Sequence, residues 1–224
     1  MKLQHLVTLG DSWPAGAELA PIWHKKHHPD CFPNQIAQRL QVQSHNLAIP
    51  ATSIDQALHQ LLYNQLSIDW SSTVVLFCLT GMSRFMYIDS QGLTRELHPQ
   101  AQDMPAKAYY RYLHSDRFDH FNRARNMLAA AQFCHSRGCD ILFVSNWDPI
   151  EPDSITSGLE VYPHTLTAML NINTDFDRGK LGLTDLHLNP YIKPNDMHPN
   201  SAGHTRLADE LAVWIKEHIN DQSL

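Results

Sequence analysis

Short apolar runs alternate with longer amphipathic stretches along this chain, and the alternation defines its elements. Leu6-Val7-Thr8-Leu9 ends at Gly10, and Thr73 to Leu79 is apolar and β-branched at its start. Ile141-Leu142-Phe143-Val144 is a third run, and Asn46 to Ile49, broken by Pro50, a fourth. Each suits a short strand buried on both sides. Between them, Pro33 followed by Ile36 and Leu40 predicts a helix with proline in its first turn. Ser53-Ile54-Asp55-Gln56 has capping-box spacing, and Ile54, Leu58, Leu61 and Leu62 share one helical face. A long helix is predicted over 116–137 from Phe118, Phe121, Ala124, Leu128 and Ala131, with Gly138 placed to stop it. A last helix after Ser201 aligns Leu207, Leu211, Trp214, Ile215 and His218.

Two stretches resist this reading. Phe85 to His114 has no clear period, yet carries Met86, Tyr87, Met104, Tyr109, Tyr110 and Tyr112. It is too long for an ordinary connection. We expect an aromatic-rich insertion at about 85–115, partly helical, serving as a lid or wall beside a site or simply packing as a satellite cluster. Residues 149–190 show only a short helical signal from Leu166 to Leu170.

Strands alternating with amphipathic helices predict an α/β fold with a parallel sheet covered on both faces. The strand ends of such a sheet share one edge, where ligands bind. Ser12, Ala51, Ser83 and Asn146 each follow a strand, so all four are expected at that edge.

Composition narrows the class. The 224 residues, 43% hydrophobic and 18% charged, suit one globular domain spanning 1–224. A net charge of −6 argues against nucleic acid as a partner. Fifteen histidines make that charge swing in mild acid. No run approaches the ~18 apolar residues of a membrane span, and Met1-Lys2-Leu3-Gln4-His5 leads straight into the first strand. The expectation is a cytoplasmic protein. Cys31, Cys78, Cys134 and Cys139 lack Cys-x-x-Cys spacing and predict buried thiols, not a disulfide framework.

The candidate chemistry begins at Gly10-Asp11-Ser12-Trp13, on the end of the first strand, and is answered by Asp196-Met197-His198-Pro199 near the last helix. Serine attacks carbonyls poorly unless a base lies within hydrogen-bond reach and a third group holds that base. Gly-Asp-Ser alone arises by chance in roughly one chain of this size in twenty, so its placement carries the argument. Asn46-Leu47-Ala48-Ile49-Pro50-Ala51-Thr52-Ser53 and Leu79-Thr80-Gly81-Met82-Ser83-Arg84 lie between the two.

In this order the four segments resemble the four sequence blocks of the SGNH (GDSL-type) hydrolases over nearly the whole chain. The resemblance implies a flavodoxin-like three-layer α/β/α sandwich and hydrolysis of carboxylic esters, often acyl groups on carbohydrates or lipids. It assigns Ser12 as nucleophile and backbone oxyanion donor, Ala51 as a second N–H donor, Ser83 as a third donor and His198 as base. The chain departs from the pattern at three places: Ala51 stands where the blocks carry Gly, Ser83 where they carry Asn, and Asn195 where an Asp most often precedes the histidine by three. Asp196, two before His198, is the favoured orienting residue.

Weaker candidates complete the set. Arg84 is placed to bind a substrate carboxylate or to form a salt bridge, and Trp147 to line the pocket or to pack. Asp11 shapes the turn around Ser12. His24 and His28 have i, i+4 spacing, but Lys25 and Lys26 between them disfavour a metal, and no cofactor is expected. The leading reading is a serine esterase or deacylase acting on a small-molecule, carbohydrate or lipid ester, including O-acetyl groups. An acyltransferase would use the same site. A non-catalytic binding or structural module on the same scaffold is the alternative from another class. A nucleotide binder is disfavoured, because no strand is followed by Gly-x-Gly-x-x-Gly or a Gly-Lys-Ser/Thr loop. The oligomeric state is left open.

Overall fold

The structure is a computed structural model that describes residues 2–19, 27–64, 66–150, 156–170, 189–193 and 198–221. In chain order its elements are β1 (His5–Leu9), α1 (Ser12–Ala15), a 3₁₀ turn (Ala17–Leu19), α2 (Phe32–Leu40), β2 (Gln43–Asn46) and α3 (Ile54–Tyr63). A second 3₁₀ turn (Trp70–Ser72) precedes β3 (Thr73–Leu79), β4 (Phe85–Ile88), β5 (Thr94–Leu97) and α4 (Met104–Tyr112). α5 (Asp116–Arg137), β6 (Asp140–Ser145), α6 (Leu166–Met169) and α7 (Ser201–Asp221) follow.

The expected parallel sheet is present, with strand order β2-β1-β3-β6. Its layers follow from side-chain alternation along the strands. Leu6, Val74, Leu76, Cys78, Leu142 and Val144 point to one face and pack with Phe32 and Ile36 of α2 and Leu207, Leu211 and Ile215 of α7. Val7, Leu9, Val75, Phe77, Leu79 and Phe143 point to the other, against Ile54, Ala57 and Leu61 of α3 and Met127, Ala130 and Cys134 of α5. Both cores are closed to solvent, and this α/β/α layering carries β1 through the middle of the sheet. Beyond β6, Val161 forms a parallel bridge to Phe143. All four cysteines are buried and free. No helix among the described residues is long and apolar enough to cross a membrane.

The structure corrects four expectations. The second strand pairs over Gln43–Asn46 and not Asn46–Ile49, in register with His5–Thr8. As an edge strand it is polar, so apolar patterning passes over it. Asn46 then turns the chain: its Oδ1 accepts from the Ala48 N–H at 3.1 Å and its Nδ2 donates to Pro14 O at 2.7 Å.

On α5 the buried stripe is rotated from the predicted one. Phe121 and Leu128 are exposed, while Asn122 and Asn126 are buried. The amides hold a carboxylate on the facing helix: Asn122 Nδ2 donates to Asp55 Oδ2 at 2.9 Å and Asn126 Nδ2 to Asp55 Oδ1 at 3.1 Å. Arg125 Nη2 adds a contact to Asp55 Oδ1 at 2.9 Å. A polar layer therefore occupies positions that apolar periodicity assigns to solvent. On α3, Leu62 is likewise exposed while Ala57 is buried.

The insertion begins as a hairpin, where only partial helix was expected. β4 and β5 pair antiparallel from Phe85↔Leu97 to Ile88↔Thr94, and α4 follows. One strand is wholly apolar and the other mostly polar, so neither shows a period of two. The hairpin and α4 share a small core of Leu97, Ala106 and Tyr109 with Phe85, Tyr87, Tyr110 and Phe118 around it. Phe85 stacks on Tyr109 with ring centroids 5.2 Å apart.

Candidate active site

The chain leaves β1 through Gly10, whose φ of 141° is open to glycine and unfavourable for other residues. A Cβ there would lie 2.9 Å from the Cys78 carbonyl oxygen and 2.8 Å from Pro14 Cγ, so the close passage of β1 against β3 also requires its absence. Asp11 follows and caps the one-turn helix α1, accepting from the Trp13 N–H at 3.2 Å. Its buried carboxylate is fully engaged. Oδ1 also accepts from Asn146 Nδ2 at 2.9 Å, and Oδ2 accepts from Thr80 Oγ1 at 2.6 Å and Arg84 Nη1 at 3.3 Å. These partners come from the ends of β3 and β6, so one carboxylate ties three strand ends together. Ser12 begins α1 at this knot and is buried.

His198 arrives from the far end of the chain. Lys193 N–H donates to His198 O at 3.1 Å, and Ile192 bridges Pro199, which fixes the segment before α7. Asn200 accepts from the Gly203 N–H at 3.0 Å through Oδ1, capping the helix. His198 Nε2 then lies 2.8 Å from Ser12 Oγ, although 186 residues separate them. The other ring nitrogen, Nδ1, faces Glu18 Oε1 at 3.9 Å. Asp196 and Asn195, the candidates for orienting this ring, lie outside the described residues.

His204, one turn into α7, is almost wholly buried. Its Nδ1 accepts from the Phe32 N–H at 3.1 Å, and its ring stacks on the Phe32 ring. An acceptor at Nδ1 requires the neutral imidazole. Burial pushes its pKa down to about 3, with His28 and His198 adding to the effect. The segment that carries His198 is thereby moored to α2 by an uncharged histidine.

The remaining candidates lie on the loops of the same edge. Ala51 has φ of 64°, the left-handed conformation, at the position where the family blocks carry glycine. Thr52 Oγ1 donates to Ile49 O at 2.8 Å and holds that loop. Ser83 lies in the turn closed by Arg84 N–H to Gly81 O at 3.3 Å, and its carbonyl accepts from the Tyr110 hydroxyl of α4. Arg84 Nη1 reaches Asp11, Thr52 O at 3.3 Å and Thr80 Oγ1 at 3.2 Å. It thus links the three loops that carry Ser12, Ala51 and Ser83. Trp147, half-buried, meets the Trp13 ring edge-on with centroids 5.2 Å apart. His24 is outside the described residues; His28 pairs with Asp30 at 4.0 Å. No group of three or more potential metal-binding side chains occurs among the described residues.

Two carboxylates here escaped the sequence reading. Glu18 carries no signal beyond lying six residues after Ser12. Glu96, on β5, reaches back to cap α3: its Oε2 accepts from the Ser53 N–H and its Oε1 from Ser53 Oγ, both at 3.1 Å. Burial raises its pKa to about 7 against the opposing pull of those Ser53 bonds, with nearby Asp55 raising it further.

The shape of the whole chain settles its fold. TesA superposes with a TM-score of 0.53 at 14% identity, covering 94% of this chain and 96% of its own. The psychrotrophic esterase EstA from Pseudoalteromonas sp. gives a TM-score of 0.53 at 14% identity, over 97% of this chain and 99% of its own. A carbohydrate esterase gives a TM-score of 0.56 at 11% identity, over 96% of this chain and 69% of its own. The fold is that of the SGNH, or GDSL-type, hydrolases. No protein-family model matches the sequence, and none of the curated proteins matches it either. The likeness to SGNH esterases and lipolytic proteins is thus carried by architecture across nearly the full length of the chain. Within that architecture, Ser12 follows the first strand and His198 precedes the last helix.

Proposed function

We propose that the protein is a serine hydrolase that cleaves the acyl group of a carboxylic ester at Ser12. The observation that carries this reading is the 2.8 Å separation of Ser12 Oγ and His198 Nε2 across the sheet edge. In the proposed reaction the Ser12 hydroxyl gives its proton to His198 Nε2 as Oγ attacks the ester carbonyl carbon. The tetrahedral intermediate collapses when Nε2 passes that proton to the departing alcohol oxygen and the ester C–O bond breaks. Water then attacks the acyl-serine with His198 again as base, releasing the acid and restoring Ser12.

The developing oxyanion is assigned to the N–H groups of Ser12 and Ala51 and to the Ser83 hydroxyl. The left-handed backbone of Ala51 supports its place in this set, because it reproduces a conformation that glycine adopts freely. Asp196 is assigned to orient the His198 ring. Arg84 is assigned to the turn, since its Nη1 is engaged with Asp11, Thr52 and Thr80, and Trp147 to the wall that meets the substrate. A short acyl group such as acetyl, on a small-molecule or carbohydrate alcohol, is the proposed substrate class.

A fluorophosphonate probe and p-nitrophenyl acetate test this directly. The probe labels wild type and not Ser12→Ala. Ser12→Ala, His198→Ala and the double variant each lose on the order of 10³ or more in turnover, with the double no worse than the singles, because partners in one unit are not additive. Independent, multiplicative losses would show that Ser12 and His198 do not act as one unit, and a wild type that the probe leaves untouched would move the protein to the binding-module reading.

A further inference from the structure

Glu18 reaches His198 because of how the chain reverses after the nucleophile. α1 lasts one turn and ends at Gly16, whose φ of 66° is left-handed and whose N–H bonds back to Trp13 O at 3.1 Å. A Cβ on Gly16 would lie 2.7 Å from Cys31 Cβ, so glycine is needed there for space as well as conformation. The 3₁₀ turn that follows is closed by Leu19 N–H to Gly16 O at 3.1 Å. Two side chains six residues apart then address the two nitrogens of one imidazole: Ser12 Oγ at Nε2 and Glu18 Oε1 at Nδ1. The carboxylate is too far for a direct hydrogen bond, but close enough to act as a charge.

The surroundings favour that action. The Glu18 and His198 side chains are only 19% and 26% exposed, so solvent screens the pair incompletely. His204, which stands nearby, is kept neutral and adds no positive charge. His28, also nearby, has Asp30 as its carboxylate at 4.0 Å. Among the described residues, Glu18 is the carboxylate within 4.0 Å of the His198 ring.

We propose that Glu18 is a positioning residue of the catalytic centre, supplying the negative charge that keeps Nδ1 turned away from Ser12 and stabilises the imidazolium formed when Ser12 gives up its proton. The role assigned to Glu18 rests on the serine-hydrolase reading. It is distinct from that of Asp196, because it comes from the nucleophile's own segment and not from the residues that precede the base.

Glu18→Gln removes the charge and keeps the shape. It slows fluorophosphonate labelling and p-nitrophenyl acetate turnover by roughly tenfold or more with little change in KM, and Glu18→Asp, which keeps the charge, restores part of both rates. A labelled wild type whose rates are unchanged by Glu18→Gln, or a loss that is carried by KM or is as large in Glu18→Asp, overturns the role of Glu18 alone. A wild type that is never labelled overturns the serine-hydrolase reading itself.

Discussion

The two faces of the sheet hold the site in different ways. On the α2/α7 face the packing is almost wholly apolar, and its buried histidine, His204, is kept neutral while its ring and Nδ1 secure α7. On the α3/α5 face the apolar core gives way near the site to polar contacts, with Asp55 held by Asn122, Arg125 and Asn126. There Glu96 joins the hairpin to Ser53. One side fixes the segment that carries His198 by burial, and the other fixes the loop that carries Ala51 by hydrogen bonds. The two therefore respond to acid with opposite signs.

His204 gives the larger effect. Its folded pKa of about 3 lies below the ordinary 6.5, so between those values the unfolded chain binds more protons than the folded one. Its contribution to stability is complete above about pH 6.5 and is lost progressively as pH falls toward 3. The full span is on the order of 4–5 kcal/mol at 1.36 kcal/mol per unit. His204→Asn keeps an acceptor for the Phe32 N–H but does not titrate. Urea unfolding across this window should show the variant weaker at pH 7 by roughly 1–3 kcal/mol, from lost packing, and much flatter toward acid. A slope identical to wild type would break the contrast between the faces.

Glu96 acts the other way. Its folded pKa of about 7 is above the ordinary 4.5, so the folded state binds more protons between them and stability falls as pH rises through that range. Allowing for solvent screening, the loss is about 1–2 kcal/mol. Glu96→Gln should gain on wild type as pH rises from 4.5 to 7, and its own stability should climb more steeply than wild type's over pH 4.5–6.5, where the two groups oppose each other. Equal pH dependence of the two proteins would count against it.

The smallest effect sharpens the comparison at a single backbone position. Ala51 holds a left-handed φ of 64° on the loop after β2. Ala51→Gly removes about 1–2 kcal/mol of steric cost in the folded state and adds roughly 0.5–1 kcal/mol of chain entropy to the unfolded one. A net gain of about 0.5–1 kcal/mol, seen as a Tm a few degrees higher, is the expected result. A lower Tm would show that the Ala51 methyl makes a contact worth more than the strain.

The faces also differ in how far the sequence revealed them. Leu207, Leu211 and Ile215 lie where their period puts them, because the buried polar residue of α7, His204, falls in the same period and rotates nothing. Phe121 and Leu128 do not, because Asn122 and Asn126 are drawn inward by Asp55, 67 residues or more away in sequence. Local periodicity carries no record of such a partner. Ser53 could be read as a helix cap from its spacing to Gln56, and its hydroxyl does accept the Gln56 N–H at 3.2 Å. Its second partner, Glu96, could not be read, since the hairpin that delivers it has no period of two. At the site, Ser12 and His198 were legible from their placement at a strand end and before the last helix. Glu18 was not, because its nearness to His198 depends on the chain reversal at Gly16 and on the docking of α7.

The distance along the chain between Ser12 and His198 also sets an order of events during synthesis. At about 5–20 residues per second, the 186 residues added after Ser12 to reach His198 take on the order of 10–40 s to make. Throughout that interval the nascent chain carries Ser12 without His198 beside it, and any product that stops short of His198 stays in that condition. On the serine-hydrolase reading, reactivity would switch on late, when α7 docks on α2 and the segment before it brings His198 to Ser12.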